Sequence, residues 1–174
     1  LGYFGQVVRH FRRPSNTHYF MTLTSGFTSV TNQFMQDQLL SVKYFVDSGR
    51  FDHLYKDGYF NTTDMTDRNR DIWQYLDGVA ARNEHIKAEG CARRFLRNLF
   101  ETYQEDRLSV IKDRIDELEE YFEKAYPGKL DPPHVQQLKG MCREWEAECL
   151  WGYYGWKCNN VRHLRLGFYK GKIF

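Results

Sequence analysis

A chain of 174 residues with only four prolines, no Gly/Ser-rich run and no block of like charge suits one domain built on a single core. Its longest apolar stretch, Leu150 to Trp156, is far shorter than the ~18 residues a membrane-crossing helix requires. The net charge of +2 hides a split: residues 1–36 hold Arg9, Arg12 and Arg13 and no acid, residues 37–148 hold 17 basic and 23 acidic groups, and residues 149–174 hold five cations and no carboxylate. Basic ends around an acidic middle either fold back on that middle or meet an acidic partner. The overall balance is less basic than that of a dedicated nucleic-acid binder, which ranks protein and anionic lipid above nucleic acid as partners.

The chain begins at Leu1 without a charged segment leading into an apolar run, which reads as a mature or trimmed end. Residues 1–32 read as an irregular N-terminal arm, in which "YFMTLTSGFTSVT" (19–31) is the one stretch with extended character from its Thr and aromatic content. Met35, Leu39, Val42 and Val46 then form a helical stripe, with Gly49 placed to cap it. Ile72, Leu76 and Val79 form a second stripe, and Ala92, Phe95, Leu99 and Tyr103 a third. The strongest periodicity is Leu108, Ile111, Ile115, Leu118, Phe122 and Ala125, which stops at Pro127 and Gly128. Asp131 is placed to cap a last helix, with Pro132 in its first turn and Val135, Leu138, Cys142, Trp145 and Cys149 along one side. That helix should end near Leu150, because Gly152, Gly155, Gly167 and Gly171 follow.

The predicted fold is therefore all-α: a helical domain over 33–150 made of antiparallel hairpins, flanked by basic, aromatic arms at 1–32 and 151–174. Short connections favour hairpins. Their first helices are expected near Asp37, Asp71 and Glu105, a spacing of 34 residues that suggests a repeat.

Chemistry is sparse in this sequence. It has no phosphate-binding glycine loop, no G-x-S-x-G and no H-E-x-x-H, and its six histidines are scattered singly. Glu117, Glu119, Glu120 and Glu123 fall opposite the apolar stripe, as a solvated face does. Cys91, Cys142, Cys149 and Cys158 show no zinc spacing and are expected as free thiols, although Cys149 and Cys158 could meet across a bend. No catalytic residue, cofactor or metal site is predicted. The expected binding residues lie in the arms: Trp151, Tyr153, Tyr154, Trp156 and Phe168 supply contact area, and Arg162, Arg165, Lys170, Arg12 and Arg13 supply charge, the mixture enriched at protein interfaces.

Two stretches carry a resemblance. "SVKYFVDSGRFDHLYKD" (41–57) resembles the turn between the two helices of a pentatricopeptide repeat, and "FEKAYPGKLDPPHVQQLKGMC" (122–142) resembles the passage from one repeat to the next. Together with the chain's size and architecture, they are similar to the eighteen-kilodalton pentatricopeptide-like accessory subunit of euglenozoan mitochondrial ATP synthase. Asp131 precedes Pro132 instead of following a proline, a departure from the repeat pattern, and the base-reading positions show no clear pattern. The resemblance implies a non-catalytic subunit of a mitochondrial ATP synthase or respiratory complex, in the matrix or peripheral to the inner membrane, working by protein–protein contact. The alternative is an RNA-binding mitochondrial ribosomal protein.

Overall fold

The computed structural model describes residues 9, 17–61, 63–126 and 128–167. Arg12, Arg13, Phe168 and Lys170 lie outside them. Thr31 starts helix α1 (Asn32–Asp47) by accepting the Phe34 amide at 3.1 Å on its hydroxyl, and the helix closes through Gly49 at φ 69°, where the Arg50 amide turns back to the Phe45 carbonyl. A single turn, α2 (Asp52–Lys56), follows. Asp64 caps α3 (Met65–Ala80) and Asn83 caps α4 (Glu84–Tyr103), each accepting an amide of the first turn on its side chain. Helices α5 (Leu108–Glu123) and α6 (Pro133–Tyr153) complete the bundle. Outside it lie two short strands, β1 (Phe20–Thr22) and β2 (Val161–His163), and two 3-10 turns, at Phe27–Ser29 and Cys158–Asn160.

Among the described residues the fold is mostly helical, consistent with all-α, with one two-stranded parallel sheet. Helix α4 is its axis: α3, α1 and α6 pack around it, and α5 lies against α1. Met35, Leu39 and Val42 of α1 meet Phe95, Leu96 and Leu99 of α4, Ile111, Ile115 and Leu118 of α5, and Val135 and Leu138 of α6 in one core. The antiparallel α3–α4 pair is the tightest contact. A Cβ added at Gly78 would stand 2.4 Å from the Lys87 amide nitrogen, and one at Gly90 would stand 2.6 Å from that of Tyr75, so the two backbones touch where side chains would hold them apart.

Several expectations need correction. The described helices begin at Asn32, Asp52, Met65, Glu84, Leu108 and Pro133, so the start expected near Glu105 falls at Leu108 while those expected near Asp37 and Asp71 have no counterpart there. Val79 faces solvent, and α3 instead buries Arg68, Asn69 and Asp71 beside Ile72, because its inner face meets charged side chains of α4. The fifth helix ends at Glu123, before Ala125, and Gly128 (φ 88°) lies in the connecting loop. Asp131 does not cap α6. Pro132 occupies the cap position, and the Asp131 carboxylate accepts the Tyr121 hydroxyl at 2.8 Å and the Lys139 ammonium at 2.6 Å, tying α5 to α6. Gly152 does not break the last helix, which runs on to Tyr153. There the missing side chain lets Ile72 of α3 approach, to 2.6 Å from where a Cβ would sit. Gly155, at φ 91°, is where the chain does turn.

Candidate docking face

Beyond α6 the chain doubles back. The Trp156 amide returns to the Trp151 carbonyl, and the 3-10 turn is held to α3 by Asn69, whose side-chain oxygen accepts the buried Cys158 amide at 2.8 Å and whose NH2 donates to Asn159 at 3.2 Å. The Asn160 side chain donates to the His18 carbonyl at 2.9 Å, which delivers the N-terminal stretch to the same place. The two stretches pair in parallel, Phe20 with Val161, Met21 with Arg162 and Thr22 with His163, and the ladder continues as Leu164 N–H donates to the Thr22 carbonyl and Leu166 N–H to that of Leu23. Parts of the two arms predicted as irregular, Phe20–Thr22 and Val161–His163, thus pair in one small sheet.

The inner side of this sheet is fixed by charge. His163 Nδ1 hydrogen-bonds with the Thr22 hydroxyl at 2.7 Å, and its Nε2 lies 3.1 Å from a Glu148 oxygen. Arg94 grips Glu148 with both terminal nitrogens, at 2.5 and 3.0 Å, and donates its Nε to Asn98 at 3.0 Å. Arg165 forks onto Glu144 at 2.8 and 2.9 Å and reaches Glu101 at 3.4 Å, where Arg68 also donates at 2.8 Å. Deeper still, Arg97 donates its Nε to Asp71 at 2.9 Å and an Nη to the Tyr59 and Asn61 carbonyls, while the Tyr59 hydroxyl donates to Asp71 at 2.6 Å.

Burial works to raise the Glu148 carboxyl, yet Arg94, His163 and Arg68 together outweigh it and hold it down at about 2. Burial raises the Asp71 carboxyl against the pull of Arg97 and Tyr59. A carboxyl whose folded pKa lies below its ordinary 4.5 stabilises the fold fully above about pH 5 and loses that contribution as pH falls toward about 2. Asp71 contributes a slope of opposite sign. Comparison of wild type with Glu148→Gln therefore isolates Glu148: the variant should melt lower at neutral pH, and its melting temperature should fall less steeply than that of wild type between pH 5 and pH 2.

The predicted binding residues divide into groups. Trp151 stacks on Phe20 (centroids 3.5 Å apart, 13° between planes) and Trp156 stands edge-on to both, so these rings join the sheet to the end of α6. Tyr153, 72% exposed, meets Tyr154 edge to face. Arg165 is engaged by Glu144 and Glu101, while Arg162 lies over the Tyr19 ring at 5.8 Å and makes no ion pair among the described residues. What faces outward is apolar: Tyr19 (56% exposed), Met21 (64%) and Leu23 alternate along the first strand, and Leu164 and Leu166 follow the second.

The buried ion network was missed at the sequence level. A three-residue spacing places Arg94 and Arg97 on adjoining faces of a helix buried on every side, and their acids lie far along the chain at Asp71 and Glu148. The available signal was Arg94, Arg97 and Asn98 interleaved with Phe95, Leu96 and Leu99, a pattern that solvent-facing charge does not produce.

The four cysteines are free, and Cys149 and Cys158 pack against Ile72. Burial pushes the thiols of Cys91 and Cys158 up to about 11 and that of Cys142 to about 12, so they stay neutral at physiological pH. Among the described residues no three His, Cys, Asp or Glu side chains gather as a metal-binding group, and no helix is long and apolar enough to cross a membrane. No family model, curated protein or solved structure matches this chain.

Proposed function

We propose that this chain is a non-catalytic accessory subunit of a large protein assembly, acting by protein–protein contact through the outer face of its two-stranded sheet. The observation that supports this reading is the exposure of Tyr19, Met21, Leu23, Leu164 and Leu166 on a parallel sheet. Parallel sheets are ordinarily covered on both faces, and a contiguous apolar patch on a monomer marks a contact site. The ion network beneath the sheet fixes its geometry before any partner arrives, which lowers the ordering cost of association. The pentatricopeptide-like stretches at 41–57 and 122–142 support a repeat-like helical scaffold, and the resemblance they carry supports a mitochondrial ATP synthase or respiratory complex as the assembly. RNA is the weaker reading, because of the three cations in residues 149–167 Arg165 is already held by carboxylates, and only Lys157 and Arg162 make no ion pair among the described residues.

The test is native electrophoresis of a mild detergent extract. Wild-type chain should migrate with a large assembly, whereas Met21→Asp/Leu164→Asp should run as free protein with unchanged helical circular dichroism. Wild-type chain migrating alone overturns the reading.

A further inference from the structure

We infer that the neighbour covering this face adds an extended segment to the free edge of β1 as a third strand, with apolar side chains at alternate positions and a carboxylate that reaches Arg162. The inference rests on the subunit reading above and deepens it. Among the described residues the sheet has two strands, so β1 has one paired edge there. Because the Thr22 carbonyl accepts the Leu164 amide, strand alternation directs the main chain of Phe20 and Thr22 toward β2 and that of Tyr19 and Met21 away from it. Among the described residues, no hydrogen bond to the main chain of Tyr19 or Met21 arises from any turn, loop or side chain.

Natural sheet edges are guarded by lysine, proline or a bulge, and "YFMTLT" (19–24) carries no charge and no proline. A neighbour that buries the Tyr19, Met21 and Leu23 side chains also takes water from the Met21 N–H and C=O beside them. A buried, unpaired main-chain group is costly. A helix laid across the face leaves that cost standing, whereas an extended backbone supplies both bonds at the strand spacing of about 4.8 Å. The charge of the partner follows from Arg162. Its guanidinium leans across β1 onto the Tyr19 ring and has no carboxylate partner among the described residues, and neither 17–31 nor 149–167 contains an acid. A carboxylate on the neighbour is the complement that this stretch of the chain does not supply.

Hydrogen exchange on the detergent-extracted assembly and on the purified chain tests this, with Met21→Pro and Met21→Ala as variants. Proline at position 21 removes an N–H that points away from β2, so the internal ladder survives. The Met21 amide should exchange about tenfold or more slower in the assembly than in the free chain. Met21→Ala should be retained in the assembly and Met21→Pro lost from it, the two having equal helical circular dichroism. An unchanged Met21 exchange rate, or retention of Met21→Pro alongside Met21→Ala, overturns the third strand while leaving the subunit reading intact. Protection that appears on vesicles of anionic phospholipid instead of in the assembly assigns the face to a lipid surface and overturns it as well. If wild-type chain migrates with no assembly, both readings fall.

Discussion

Asp71→Ala should cost about 3–5 kcal/mol of unfolding free energy, read from urea denaturation at neutral pH. Asp71 and Arg97 have no exposed side-chain surface, and removing one of them leaves the other charged in the interior. Arg97 would keep the Tyr59 and Asn61 carbonyls at 2.8 and 3.1 Å, but carbonyl dipoles do not replace a counterion. The Tyr59 hydroxyl would lose its nearer acceptor at the same time and keep only the Asp67 carbonyl at 3.3 Å. The double variant Asp71→Leu/Arg97→Met removes the charge from both sides and should recover most of the loss, because an apolar pair of similar volume avoids the desolvation both ions suffer. A double variant as unstable as Asp71→Ala would mean that the hydrogen bonds of Arg97 to the 59–61 segment, and not the ion pair, hold this part of the fold.

The contrast between this pair and the apolar core shows what the sequence could convey. Met35, Leu39 and Val42, or Ile111, Ile115 and Leu118, announce themselves because burying one face of a helix requires an apolar residue every three or four positions, and that rule acts within a single element. Val135, Leu138 and Cys142 were legible for the same reason. Arg97 and Asp71 obey a rule that acts between elements: either is prohibitive alone and acceptable only beside the other, 26 residues away. Gly152 misled for a related reason. Its intrinsic preference opposes a helix by about 1 kcal/mol relative to alanine, while the approach of Ile72 that it permits is visible only once α3 and α6 are packed. The sheet formed by the two ends was half legible. The acid-free, aromatic composition of both ends pointed to a surface, but composition carries no register, so the pairing of Met21 with Arg162 and the inward turn of Arg165 onto Glu144 were out of reach.

Gly78→Ala is the second large effect. In an open helix this change should gain about 1 kcal/mol, because alanine restricts the unfolded chain and favours the helix. Here the new methyl would sit 2.4 Å from the Lys87 amide nitrogen and 2.7 Å from its Cα, atoms that belong to the α4 backbone and cannot rotate aside. Moving one helix off the other costs about 1–3 kcal/mol in a well-packed contact, occasionally more, and this contact sits at the tight end. A net destabilisation of about 2 kcal/mol is expected. Gly90→Ala meets the Tyr75 backbone at 2.6 Å and should behave alike. Gly140→Ala offers the control: the obstacle 2.8 Å away is the Ser25 side chain, on a loop that can yield, so the helix gain and the clash should nearly cancel. Thermal melts of the three variants should therefore rank Gly78 and Gly90 well below Gly140. Equal losses at all three positions would refute the close backbone approach of α3 and α4.

The parallel pairing of β1 and β2 joins residues 141 positions apart, as between Thr22 and His163. No local folding event can make that contact, and the entropy of closing so long a loop is repaid only after the helices between have packed. A ribosome-bound chain lacking the stretch from Val161 to Leu166 would already carry Tyr19, Met21 and Leu23 but would have no strand beside them to set their spacing. The sheet is thus the last part to appear, and on the subunit reading proposed above a partner that docks there would engage only chains whose helices have already packed.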